Sequence, residues 1–127
     1  MWMMHTGQTT LQNPSEEQVL SAVREAVSAG QGEIWIEHQR GPILGLVLGG
    51  TRAMVLRLAE PGDAGFHAID PQGSPEPSGK YVLAHGQVDQ YGDRDGVDTR
   101  HVVPIVVHFL ATTDGWPGVA WQDDNAA

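Results

Sequence analysis

The chain has 127 residues, 40% of them hydrophobic, and its 16 acidic residues against 7 Lys and Arg give a formal charge of −9. That length suits one domain with one hydrophobic core, and the absence of cysteine excludes disulfides, zinc–thiolate centres and thiol nucleophiles. Residues 1–60 hold six acids and four bases (−2) and residues 61–127 hold ten acids and three bases (−7), which argues against binding a phosphate backbone and serves either solubility alone or attraction to a basic protein partner.

No apolar stretch approaches the length of about 18 residues that a spanning helix needs. The opening MWMMHTGQTT lacks the basic residue and apolar run of a signal peptide. The expectation is a cytoplasmic protein without a membrane segment, a single domain over 1–127 with frayed ends at about 1–12 and 123–127. Within the first of these, the alternation of Trp2 and Met4 with Met3 and His5 allows a short edge strand.

Asn13-Pro14-Ser15-Glu16-Glu17 reads as a helix start. Asn13 or Ser15 can cap, Pro14 suits a first turn, and the two acids sit at the positive end of the helix dipole. Val19, Leu20, Val23 and Val27 follow at helical spacing, and Gly30 and Gly32 stop the segment, so 15–29 is an amphipathic helix. Three strands come next. Glu33–His38 places Ile34 and Ile36 on one face and Trp35 and Glu37 on the other; Ile43–Leu48 puts Leu44, Leu46 and Leu48 together; Ala53–Leu58 groups Met54, Leu56 and Leu58 opposite Arg57. Arg40-Gly41-Pro42 and Gly49-Gly50 are the turns of an antiparallel meander whose apolar face the helix covers.

Phe66–Ile69 is a short fourth strand, Asp70–Lys80 an exposed loop rich in Pro and Gly, and Tyr81–Ala84 a further strand. Val102–Leu110 is β-branched, but Pro104 fits a first helical turn better than a central strand. We read a helix from about Val103 to Thr112, ended by Thr113-Asp114-Gly115, and a last short strand at Val119–Trp121. The fold class is α+β: an antiparallel sheet of about four to six strands packed against an N-terminal and a C-terminal helix.

The chemistry-bearing candidates lie after Tyr81. The glycines Gly45, Gly49 and Gly50 lack the spacing of a phosphate loop, and the six histidines form no metal-ligand pattern, so no metal or cofactor is expected. Setting Asp93, Asp95 and Gly96 at the third, fifth and sixth positions of a calcium loop puts Tyr91 at the first and Val102 at the twelfth, where carboxylates are required. No carboxylate stands out as an acid or base beside a nucleophile. What remains is either a solvated loop or an acceptor-rich surface for Arg and Lys, with Asp89, Tyr91, Asp93 and Asp95 as contact residues; Trp116 is either a core residue or a further anchor. Gly86 and Gln87 order the loop, and Trp121 closes the core.

The segment Tyr81-Val82-Leu83-Ala84-His85-Gly86-Gln87-Val88-Asp89-Gln90-Tyr91 resembles the Asn-Gly-Gln, Asp-Glu-Tyr stretch of the first-described immunity protein family of bacterial polymorphic toxin systems. That family includes relatives of inhibitors of double-stranded-DNA cytosine deaminase toxins. Gly86, Gln87, Asp89 and Tyr91 match, while His85 stands at the Asn position and Gln90 at the second acidic one. The tail from Phe109 through Trp116-Pro117 to Trp121 is similar to the family's closing pattern, and Trp35 to Leu58 follows its strand order, with Gly49-Gly50 at an Asn-Gly turn. The resemblance spans about residues 13–123. It implies a non-enzymatic antidote that binds a cognate toxin domain, a basic deaminase or nuclease, and blocks its active site or substrate surface, with no direct contact to nucleic acid. The departures at His85 and Gln90 leave the identity of the toxin open, and oligomeric state is unread. Two other readings stand beside it: an acidic adaptor or structural subunit with no toxin partner, and a hydrolase using His85 with a nearby Asp.

Overall fold

Helix α1 (Glu16–Ala29) begins at a reciprocal cap. The Ser15 hydroxyl accepts from the Gln18 amide at 3.1 Å, and the Gln18 side chain accepts from the Ser15 amide at 2.8 Å, so two of the donors orphaned at a helix start are satisfied. Gly30 ends the helix at φ 68°, a conformation glycine adopts without the penalty a Cβ brings. These contacts come from a computed structural model, which describes residues 2–7 and 9–125.

The remaining elements are β1 (Trp2–Thr6), β2 (Thr9–Gln12), β3 (Gln31–His38), β4 (Ile43–Gly49), β5 (Arg52–Leu58), β6 (Phe66–Ile69), β7 (Gly79–Val82), β8 (Val88–Tyr91), β9 (Val97–Asp98), α2 (Val102–Thr112) and β10 (Ala120–Asp123). Short 3-10 turns occupy Asp93–Asp95 and Thr99–His101. The architecture is α+β, with two helices on a larger antiparallel sheet. That sheet has the order β10-β6-β5-β4-β3-β1-β2, with β9 paired to β5, and β7 and β8 form a separate two-stranded sheet. No helix among the described residues is long and apolar enough to cross a membrane.

The core lies between the helices and one face of the large sheet. Met4, Ile34, Ile36, Leu44, Leu46, Leu48, Ala53, Val55 and Ala68 supply the sheet side, and Val19, Val23, Val102, Ile105, Val106 and Phe109 the helix side. The alternation read for β3 and β4 is the one observed. In β5 the inward set is Ala53 and Val55, one residue out of step with the Met54, Leu56 and Leu58 face expected to meet the helix. Both faces of β5 are apolar, so alternation alone does not choose between them; pairing of Leu46 with Val55 and Leu48 with Ala53 does. Arg57 shares that inward row near its end, where its guanidinium lies 4.6 Å from the Phe66 ring centre and 5.7 Å from that of Trp121.

There are more strands than the four to six expected. Residues 2–6 form an interior strand where a short edge strand was expected: β1 is paired on both sides, to β2 and to β3, and Met4 is in the core. At the other end Asp123 belongs to β10, which pairs with β6, and the Asp124 amide donates to the Gly65 carbonyl at 2.8 Å. The fraying expected of Met1, Gln8, Ala126 and Ala127 concerns residues outside those described. Helix α2 runs within one residue of the expected span, with Pro104 in its first turn and Thr113 at φ 62° as its terminator.

Candidate functional site

The second face of the large sheet carries Met3 and His5 of β1, Glu33, Trp35 and Glu37 of β3, Ile43, Gly45, Val47 and Gly49 of β4, and Met54, Leu56 and Leu58 of β5. This follows from the period of two along each strand and from the pairings Met3–Glu37–Ile43–Leu58 and His5–Trp35–Gly45–Leu56 across them. Neither helix covers it. Trp35, Met54, Leu56 and Leu58 are half-buried and Ile43, Gly45 and Val47 are buried, and the Trp35 ring sits against Gly45, where a Cβ would fall inside contact distance.

The β7–β8 hairpin packs on one end of this face. Its anchor is Tyr81, fully buried, whose ring occupies the space above Gly49; a Cβ there would come 2.7 Å from it. Glu33 ties the hairpin to β3. One carboxylate oxygen accepts from the Trp35 indole at 3.3 Å and the other from the Ala84 amide at 2.8 Å. Gly86, at φ 92°, completes the hairpin turn, its amide donating to the Leu83 carbonyl at 2.9 Å.

Along the exposed edge of the hairpin, side chains two residues apart form a ladder. His85 Nε2 meets Gln87 Oε1 at 3.2 Å, Gln87 Nε2 donates to Asp89 Oδ1 at 2.7 Å, and the Tyr91 hydroxyl donates to Asp89 Oδ2 at 2.8 Å. The hydrogen bonds from Gln87 and then Tyr91 hold the Asp89 carboxyl below the usual carboxylate range. Burial, then the bond to Asp89, push the Tyr91 hydroxyl up to about 12. The Tyr91 ring meets Tyr81 edge-on at 4.9 Å between centres. Gln87 thus orients the acid and Gly86 shapes the turn.

Asp93 and Asp95 lie one element further on, in the 3-10 turn, and each has an internal partner. Arg52 Nη2 donates to the Asp93 carbonyl at 2.6 Å, to the Gly96 carbonyl at 3.1 Å and to Asp70 Oδ2 at 3.3 Å, and its Nε lies 3.8 Å from the Asp93 carboxylate. Asp95 Oδ1 is 3.0 Å from His67 Nε2, and Asp124 Oδ2 is 2.6 Å from His67 Nδ1. Burial alone lowers the His67 pKa, but the bonds to Asp124 and Asp95 outweigh it and the imidazole is raised above its ordinary value. Both ring nitrogens face carboxylates, which suits the doubly protonated form. Trp116 stands apart from the hairpin. Its carbonyl accepts from the Trp121 indole at 2.9 Å, its ring is 5.7 Å from that of His101, and both tryptophans pack on the core.

The structure therefore brings Asp89 and Tyr91 together and gives Asp93, Asp95 and Trp116 intramolecular work. It adds Trp35 and Glu37, which alternation had assigned to the face away from Ile34 and Ile36, and with them Glu33; the Glu-x-Trp-x-Glu pattern was the available signal. His67 and Arg52 had none, since their partners lie 18 to 57 residues away. His85 pairs with an amide, so the His–Asp couple a hydrolase needs is not formed there. Among the described residues no group of three or more His, Asp or Glu is arranged to hold a metal ion. No protein-family model matches the chain, and no curated protein sequence matches it.

Proposed function

We propose that the chain is a non-catalytic protein-binding domain that takes a basic polypeptide partner across the open sheet face. The observation that carries this reading is the outward row Glu33, Trp35, Glu37 of β3, running from the Asp89–Tyr91 edge of the hairpin across an apolar floor whose Ile43 and Val47 are buried and whose Met54, Leu56 and Leu58 are half-buried. Half-buried Trp and Tyr with a polar rim is the composition of a binding hot spot, and the charge of −9 steers a basic partner towards it.

The narrower form of the proposal is an antidote. It rests on the likeness of Tyr81–Tyr91 to the immunity protein segment, and its partner is a toxin domain that acts on nucleic acid. Such a domain needs positive surface for its substrate, and an acidic face competes for that surface. The adaptor reading shares the binding face and differs in the partner.

Co-expression with a toxin domain encoded beside this chain tests the narrower form through growth rescue and co-purification. The face itself is tested by calorimetric titration of the captured partner. Trp35→Ala is expected to weaken binding by about 30-fold, the equivalent of a hot-spot loss of about 2 kcal/mol, and Asp89→Lys to slow association. Unchanged affinity and rate in both variants, with folding intact, would remove this face. Binding without growth rescue would leave the adaptor reading.

A further inference from the structure

We propose that the cavity at the end of the open face is a receptor for one cationic side chain, arginine or lysine, of the partner. This deepens the reading above and rests on it. The cavity has a volume of about 620 Å³ and is lined by Trp2, Met3, Glu37, Ile43, Glu60 and Pro61 among others. Its volume falls within the range of about 300–1,000 Å³ typical of ligand pockets, so it holds a long side chain together with part of the backbone that carries it.

Position links the cavity to the binding face. Met3, Glu37 and Ile43 are paired neighbours across β1, β3 and β4, and Glu37 is the next outward residue after Trp35, about 7 Å along the strand. A partner segment lying over Trp35 therefore delivers a side chain into the cavity. The chemistry fits a long cation. Met3, Ile43 and Pro61 offer apolar wall to an aliphatic stem, and the carboxylates of Glu37 and Glu60 offer acceptors to its head. Trp2 also lines the cavity, its indole meeting His38 edge-on at 4.6 Å and Phe109 at 5.5 Å between ring centres, and an indole is the kind of aromatic group that attracts guanidinium and ammonium groups.

Arg40, His38 and His5 are further charged or titratable groups in or behind the cavity. Arg40 lines it and offsets one carboxylate, but its side chain is exposed and has no ion-pair partner among the described residues, so it is free to turn outward. His38 also lines it, and desolvation, with the nearby charge of Arg40, lowers its pKa, which disfavours a further positive charge there. His5 holds one oxygen of Glu37 at 3.0 Å, which fixes that carboxylate while its other oxygen faces no side-chain donor among the described residues.

The test is an NMR titration of the nitrogen-15-labelled protein with N-acetyl-arginine amide, N-acetyl-lysine amide and N-acetyl-citrulline amide, the last being the neutral isostere of arginine. The expected result is a saturable shift of the Trp2 indole resonance with the two cations and binding of citrulline at least about fivefold weaker. The double variant Glu37→Gln with Glu60→Gln, its fold checked by the dispersion of its amide spectrum, is expected to lose a similar factor. Asp89→Lys is expected to leave the titration unchanged. No saturable shift, or equal binding of citrulline, would overturn the proposal. Because the probe is a single amino-acid amide, failure here with partner binding intact removes the cavity alone, whereas loss of the open face shows in the partner titration.

Discussion

The Tyr91 hydroxyl and the Asp89 carboxylate form one hydrogen bond of 2.8 Å whose effects on the two groups are opposite in sign. The bond favours the ionised acid and the neutral phenol, so Asp89 titrates low and Tyr91 titrates at about 12. In an ultraviolet titration, Asp89→Asn is expected to bring the Tyr91 pKa down part of the way towards its ordinary value of about 10, the burial contribution remaining. Tyr91→Phe is expected to raise the Asp89 pKa in a carbon-13 NMR titration. A Tyr91 pKa unmoved in Asp89→Asn would show that the ladder is not formed in solution.

His67 makes stability depend on pH in a defined direction. Its folded pKa is raised, so the stabilisation from its two carboxylates is fully present below the unfolded value of about 6.5 and is lost as pH rises through the folded value. Urea unfolding of the protein and of His67→Gln across that range is expected to show the widest gap in stability at the acidic end, closing towards alkaline pH. A gap that widens with rising pH would contradict the two-carboxylate arrangement.

Two glycines of β4 are close-approach positions. A methyl at Gly45 meets the Trp35 ring, and one at Gly49 meets the Tyr81 ring at 2.7 Å and the Lys80 carbonyl at 3.0 Å. Gly45→Ala and Gly49→Ala are each expected to cost about 1–3 kcal/mol in urea unfolding, the range for overpacking. Gly45→Ala should in addition shift the Trp35 fluorescence, because the ring must lift from the sheet.

Arg52 holds the 3-10 turn to β5 through the Asp93 and Gly96 carbonyls. Its side chain is 21% exposed, so most of its hydrogen-bond strength is retained. Arg52→Met is expected to cost about 2–4 kcal/mol, consistent with losing charge-assisted bonds and leaving buried carbonyls unpaired. Faster hydrogen exchange of the amides at 94–96 reports the same loss locally.

The parts of the fold that could be read beforehand are those where neighbouring residues carry the information. The Ser15 cap, the Gly30 stop, the alternation of Ile34 and Ile36, and Pro104 at the start of α2 are all local signals, and each corresponds to the observed element. Residues 2–6 were harder, because a strand whose partners are 28 or more positions away in β3 has no local sign of being interior. In β5, two apolar faces left the choice to cross-strand register. The acids divided for the same reason. Asp89 and Tyr91 are two apart on one strand, and their meeting follows from the pleat. Asp93 and Asp95 look identical in the sequence, and only their contacts with Arg52 and His67 show that they serve the turn.

The small β7–β8 sheet shares no strand pairing with the large one. A two-stranded hairpin is marginally stable by itself, so the order of its exposed edge is borrowed from the Tyr81 ring seated over Gly49 and from the Glu33 clamp. The surface presented to a partner is thus controlled from beneath. A substitution at Gly49, which no partner would touch, is placed to alter affinity by letting the hairpin open as a local unit, and the association rate and the exchange rate of the 88–91 amides would then change together.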